Sequence, residues 1–150
     1  VVSGTDVSRY FLRGSLTATE ALNCGTTYVH PNTSPPYTSL YNVNLGTNTG
    51  NASYILEPPT DFSPVRFTLT YNNNVILDTG YLSKDPNANS IYLARLNSVL
   101  TNLGEPTVST ITTTASFRGT FNKNLGSVQI VVVTVYAPLG GAFAFRVNCI

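Results

Sequence analysis

Two cysteines, one histidine and seven carboxylates are the groups in this 150-residue chain with the most chemistry to offer. Cys24 and Cys149 lie near opposite ends and lack the close spacing of a metal knuckle or a Cys-x-x-Cys redox pair. A disulfide is the favoured reading, closing a loop worth about 4 to 5 kcal/mol in the chain-entropy picture. Two buried free thiols are the alternative, because unpaired Cys is among the most buried residue types. His30 precedes Pro31 and has no second histidine or neighbouring thiolate to complete a zinc site or a Ser-His-Asp array, so an exposed loop histidine is expected. The carboxylates are dispersed, which gives no local support to a glycosidase pair. Nor does any Asp-x-Asp spacing mark a calcium loop around Asp61 or Asp85. No cofactor and no metal is expected.

Asp78-Thr79-Gly80, preceded by Val75-Ile76-Leu77, resembles the active-site segment of aspartic proteases. Those enzymes need two carboxylates sharing a proton at about 3 Å, so a chain with one copy would have to dimerise. The family follows the motif with a small residue, whereas Tyr81 stands here. A strand end with a polar Asp and a glycine turn accounts for the same three residues, and Asp78 is read as structural. Nine tyrosines without a tryptophan offer a sugar- or surface-binding face, for which Tyr28, Tyr37, Tyr41, Tyr54 and Tyr81 are the candidates. Asn32-Thr33-Ser34 and Asn51-Ala52-Ser53 have the form of glycosylation sequons.

The elements that must position these groups are mostly strands. Arg9 to Asn23 reads as one or two strands, and Gly25 to Tyr37, with Pro31, Pro35 and Pro36, reads as a loop. Loops of that length often carry function, and Tyr28, His30 and Tyr37 are its candidate ligand or contact residues. Ser39 to Leu45 and Ala52 to Glu57 have the spacing of a hairpin. A clearer hairpin follows, Val65 to Tyr71 returning as Val75 to Leu82 through Asn72 to Asn74, since Asn tolerates the left-handed backbone region. Ser90 to Leu103 is the one helical stretch, with Ser90 as N-cap and Gly104 then Pro106 as the stop. Val108 to Phe121 is strand-like, Val128 to Tyr136 is apolar on both faces and reads as a central strand, and Phe143, Phe145, Val147 and Cys149 share one face of a last strand. About nine strands and one short helix near 90–103 make residues 1–150 a single all-β domain, a β-sandwich for which jelly-roll topology is one arrangement.

Composition narrows the function classes. Only 10% of residues are charged and the net charge is +1, with basic residues scattered from Arg9 to Arg146. Such a chain has no footprint for phosphate backbones or anionic lipid, so neither nucleic acid nor a membrane surface is an expected partner. The longest apolar run, 130–133, is far too short to span a membrane. No methionine occurs, so Val1 is not an initiator as written, and removal of a signal peptide, a propeptide or a single methionine is expected.

From Leu45 onward the chain resembles a loosely defined family of β-sandwich modules found in phage virion proteins and secreted bacterial proteins. The matching residues are Leu45-Gly46 with Gly50, Phe67 to Tyr71 with its Asn turn, Asp78-Thr79-Gly80-Tyr81, and the helix Leu93 to Gly104. Ser116-Phe117 through Phe121-Asn122-Lys123 and the ending Val135 to Gly140, Phe145, Asn148 and Cys149 complete them. Pro64-Val65-Arg66-Phe67 departs from the family's Pro-Asp-Arg-Phe. The resemblance implies a non-catalytic structural or attachment role on a virion or cell exterior. The expectation is an exterior virion component of a phage, a capsid decoration or tail-fibre module repeated in symmetric copies. A secreted surface or filament subunit and a glycan-binding module are the alternatives. Partners would be further copies of the chain, other virion or surface subunits, or a glycan, with contacts at Gly25 to Tyr37 and the two chain ends.

Overall fold

The computed structural model describes residues 16–31 and 37–150. The expected strand before Leu16 and the sequon at Asn32 lie outside the described residues. The described residues form ten strands and two short helices, in order β1 (Leu16–Asn23), β2 (Tyr28–Val29), β3 (Tyr37–Asn44), β4 (Gly50–Glu57), β5 (Val65–Tyr71), β6 (Asn74–Ser83), α1 (Ala88–Ile91), α2 (Leu93–Asn102), β7 (Thr112–Thr113), β8 (Phe117–Lys123), β9 (Ile130–Ala137) and β10 (Ala144–Val147). They form a β-sandwich. One sheet has the order β1-β3-β9-β5-β6-β7 and the other β2-β10-β4-β8. The pairs β1–β3 and β6–β7 are parallel, which separates this order from an all-antiparallel jelly roll.

Period-2 patterning explains which face of each strand is inside. Val65, Phe67, Leu69 and Tyr71 of β5 and Val131, Val133, Val135 and Ala137 of β9 point inward from the larger sheet. Tyr54 and Leu56 of β4 and Phe145 and Val147 of β10 meet them from the smaller one. β9 is central, paired on both sides, as its doubly apolar sequence predicts. A second cluster lies on the other face of the larger sheet, where Leu96 and Leu100 of α2 pack with Tyr81, Ile111, Tyr136 and Leu139.

Two expectations about elements need correction. Ser39 to Leu45 and Ala52 to Glu57 are not a hairpin: β3 pairs with β1 and β9, while β4 sits in the opposite sheet between β8 and β10. The intervening 45–49 carries the chain across the sandwich, because each strand buries an apolar face that only the opposed sheet can cover. The helical stretch is also two pieces, broken at Tyr92, and Ser90 lies inside α1 with its hydroxyl donating to the Asn87 carbonyl instead of capping. Its stop is as expected. Gly104 has φ +75°, its N–H donates to the Thr101 carbonyl and the next N–H, of Glu105, to the Leu100 carbonyl, a Schellman ending.

Cys24 and Cys149 form a disulfide, with their Cα atoms 5.1 Å apart. The backbone brings them together: the Cys24 N–H donates to the Asn44 carbonyl at 3.0 Å and the Gly25 N–H to the Val147 carbonyl. The bond therefore joins the end of β1, at the edge of the larger sheet, to the segment just after β10 in the smaller one.

Candidate functional site

Two polar constellations stand out, one at the end of the core and one on the open face of the larger sheet. The first gathers Glu20 of β1, Tyr28 of β2, His30 and Tyr41 of β3. The Tyr28 hydroxyl donates to Glu20 Oε1 at 3.1 Å, and His30 Nδ1 lies 3.3 Å from the Tyr28 hydroxyl and 3.2 Å from that of Tyr41. The His30 ring stacks on Phe143 with planes 6° apart, and the backbone N–H of His30 donates to the Phe143 carbonyl. His30 is thus only 7% exposed, not the exposed loop histidine its proline-rich surroundings suggest. The cause is β2. Tyr28 and Val29 pair with Phe145 and Ala144 and pull the chain onto the sheet. Burial lowers the His30 pKa below its ordinary value, against a smaller opposing pull from Glu20, and burial raises the Tyr41 hydroxyl well above its own. Tyr37 opens β3 opposite Ala137. This constellation is a packed end of the core, and its groups spend their hydrogen bonds on one another.

The second constellation grows out of the β5–β6 hairpin. Two β5 residues, Arg66 and Thr68, span three steps of β6, since Arg66 faces Tyr81 while Thr68 faces Asp78. The extra residue makes a bulge. Gly80 takes the φ of +64° that the bulge requires, and its N–H donates to Asp78 Oδ1 at 3.0 Å. Thr79 Oγ1 accepts the Phe67 N–H at 3.1 Å. Asp78-Thr79-Gly80 is therefore a bulge that holds a carboxylate in place, consistent with its structural reading. Arg66 grips that carboxylate with two N–H groups, Nε to Oδ1 at 2.9 Å and Nη2 to Oδ2, the side chains being 36% and 42% exposed. Burial raises the Asp78 pKa, but the Arg66 hydrogen bonds, the Gly80 N–H and the Arg66 charge outweigh it and hold the carboxyl below its ordinary value.

Beneath the pair lies Tyr136 of β9, directly across from Arg66 in the ladder, with the guanidinium carbon 5.0 Å from its ring centre. Arg66, Thr68, Asp78 and Tyr136, with Asn73, Asn74 and Val75 of the hairpin, line a cleft of about 300 Å³. Thr68 contributes a buried hydroxyl with no hydrogen-bond partner among the described residues. The cleft thus offers amides, a guanidinium and a carboxylate on a floor of aromatic and hydroxyl side chains. Its two charges cancel, and its carboxylate has no second carboxylate within the lining to share a proton. Among the described residues no group of three His, Cys, Asp or Glu could hold a metal ion.

Of the tyrosines proposed as a binding face, Tyr41 and Tyr54 are buried because they point into the sandwich core, and Tyr81 is buried on the other face of the larger sheet, beneath α2. They present no platform. Arg66, Thr68 and Tyr136 were not singled out by the sequence. The available signal was the cross-strand alternation itself, which places Arg66, Thr68 and Thr70 of β5 on the face opposite Phe67 and Leu69.

No family model and no curated protein matches the chain. Among solved structures it resembles a pre-peptidase C-terminal domain of a collagenase from Bacillus anthracis, at a TM-score of 0.51 and 10% identity, over 87% of this chain and 94% of that one. The likeness is one of fold.

Proposed function

We propose that the chain is a non-enzymatic module of a secreted or surface-exposed protein, and that the cleft over Arg66, Asp78 and Tyr136 is where it contacts a neutral, hydroxyl-rich ligand of the glycan class. The observation that carries this reading is the state of Asp78. A catalytic acid or base needs a pKa matched to proton transfer and a proton path to the substrate, whereas this carboxylate is clamped by a guanidinium and a backbone N–H and held ionised. The same clamp suits recognition. A sugar hydroxyl both donates and accepts, and a carboxylate beside a guanidinium and the side-chain amides of Asn73 and Asn74 offers both partners without net charge.

The placement outside the reducing cytosol is supported by the Cys24–Cys149 disulfide, since such bonds persist in oxidising surroundings. The collagenase domain, a C-terminal module of a longer enzyme, favours the secreted or surface alternative over the virion role, which draws no support from it. A glycan array probed with tagged protein tests the reading: binding should be seen with the native chain and be lost in Asn74→Ala and Asp78→Ala. Absence of any glycan signal from folded native protein would overturn it.

A further inference from the structure

The smaller sheet has two edges of unlike length. β2 is two residues long, which leaves little to pair with, whereas β8 runs for seven residues without a proline. The direction of β8's unpaired groups follows from its neighbours. The Asn148 N–H donates to the Ser53 carbonyl at 2.8 Å, so Ser53 turns its backbone groups towards β10. In an antiparallel ladder the two sides alternate residue by residue. Ala52, Tyr54 and Leu56 therefore face β8, where their partners are Phe121, Gly119 and Phe117. Arg118, Thr120 and Asn122 are left with their N–H and C=O groups aimed away from the sheet. Among the described residues β8 pairs on one side only, with β4, and no other backbone hydrogen bond reaches those groups.

We infer that this edge pairs with the same edge of a second copy of the chain, antiparallel and centred on Thr120, joining two four-stranded sheets into one of eight. The sequence of β8 is self-complementary about that centre. A twofold axis at Thr120 sets Thr120 against Thr120 of the other copy and Arg118 against Asn122, twice, while using every outward backbone group of the three residues. Thr–Thr pairs are favourable cross-strand neighbours, and a guanidinium N–H can donate to the oxygen of a side-chain amide facing it. All three side chains are exposed on the outer face, so the pairing needs no rearrangement of the core. A shift of two residues in either direction loses at least one of these backbone pairs, and a shift of four sets Arg118 against itself or Asn122 against itself. The contact is isologous, the commonest kind in homodimers. Three paired residues a side are far fewer than the roughly 20 to 30 of a standard interface, so the dimer is populated at high protein concentration.

Sedimentation velocity on the intact chain, from about 10 µM to about 1 mM, reads the association. Asn122→Arg puts arginine opposite arginine in both symmetry-related pairs and should weaken the dimer by about tenfold. Arg118→Glu combined with Asn122→Arg restores opposite charges at the same two positions and should recover it. A second readout needs no variant: hydrogen exchange at the Arg118, Thr120 and Asn122 amides should slow as concentration rises, while exposed amides elsewhere do not change. A native chain that stays monomeric to about 1 mM overturns the inference. So does a dimer in which those three amides gain no protection, or one that folded Asn122→Arg leaves unchanged.

Discussion

At the scale of single residues, the polar groups with shifted acidity govern how the fold responds to acid. His30 is kept neutral in the folded chain, its pKa below the ordinary 6.5 because it is buried. The unfolded chain therefore takes up the proton first. The resulting stability is complete above about pH 6.5 and is lost as pH falls through the folded value. Protonation at Nδ1 would also take away the acceptor of the Tyr41 hydroxyl. Asp78 acts lower on the scale. Its folded pKa lies below 3.8, so its contribution is present above that value and disappears as pH falls further. Urea titrations at stepped pH should show stability declining first as pH falls below about 6.5, a step that His30→Gln removes, and again below about pH 4, a step that Asp78→Asn removes. Because both partners are more than a third exposed, Asp78→Asn should cost only about 1 kcal/mol at neutral pH. These roles were only partly legible in the sequence. Asp78 could be read as structural because a bulky Tyr81 follows it, but its partner Arg66 lies twelve positions away across a bulge whose register no local pattern announces. His30 misled for a related reason: Pro31 and its neighbours are loop-forming residues, and a two-residue strand is too short to leave a periodic signature.

At the scale of elements, alternation was the dependable guide and connectivity was not. The β5–β6 hairpin is where it was expected because both cues coincide there, apolar alternation and a turn of asparagines. Asn72 and Asn73 both have positive φ, 51° and 62°, and Tyr71 pairs with Asn74, so the turn is a two-residue one of the type whose twist suits a hairpin. Asn73→Val forces a β-branched residue into that region and should destabilise the chain by about 1 to 2 kcal/mol, whereas Asn73→Gly should be neutral or stabilising; thermal unfolding followed by circular dichroism compares the two. β3 and β4 show the opposite case. Each alternates cleanly, and five connecting residues fit a hairpin as well as a crossing between sheets. The choice is made by β9, which sequence places far away but which takes the side of β3 that β4 would have occupied. Long-range pairing of this kind leaves no trace in local spacing.

At the scale of the whole molecule, one covalent link closes 125 positions of chain between the edge of one sheet and the far end of the other. Cys24→Ser with Cys149→Ser should lower stability by up to about 4 to 5 kcal/mol, read from the urea midpoint with and without reductant. The pairing was foreseeable from the count and spacing of the cysteines, yet its geometry depended on β1 lying beside β3 and on β10 closing the smaller sheet, which only the assembled sandwich supplies. That link also decides how the domain behaves under tension. Pulled from anchor points before Cys24 and beyond Cys149, the load path runs through the sulfur atoms and bypasses every ladder the loop encloses, including the central β9. The enclosed 125 positions, roughly 440 Å of slack if fully extended, stay furled until the bond is reduced. In a single-molecule stretching experiment the oxidised domain should lengthen only by the segments outside the cysteines, and added reductant should release the rest in one further step. While the bond holds, such a load strips away only β1, which lies before Cys24, and leaves the ladders between β2 and β10 intact.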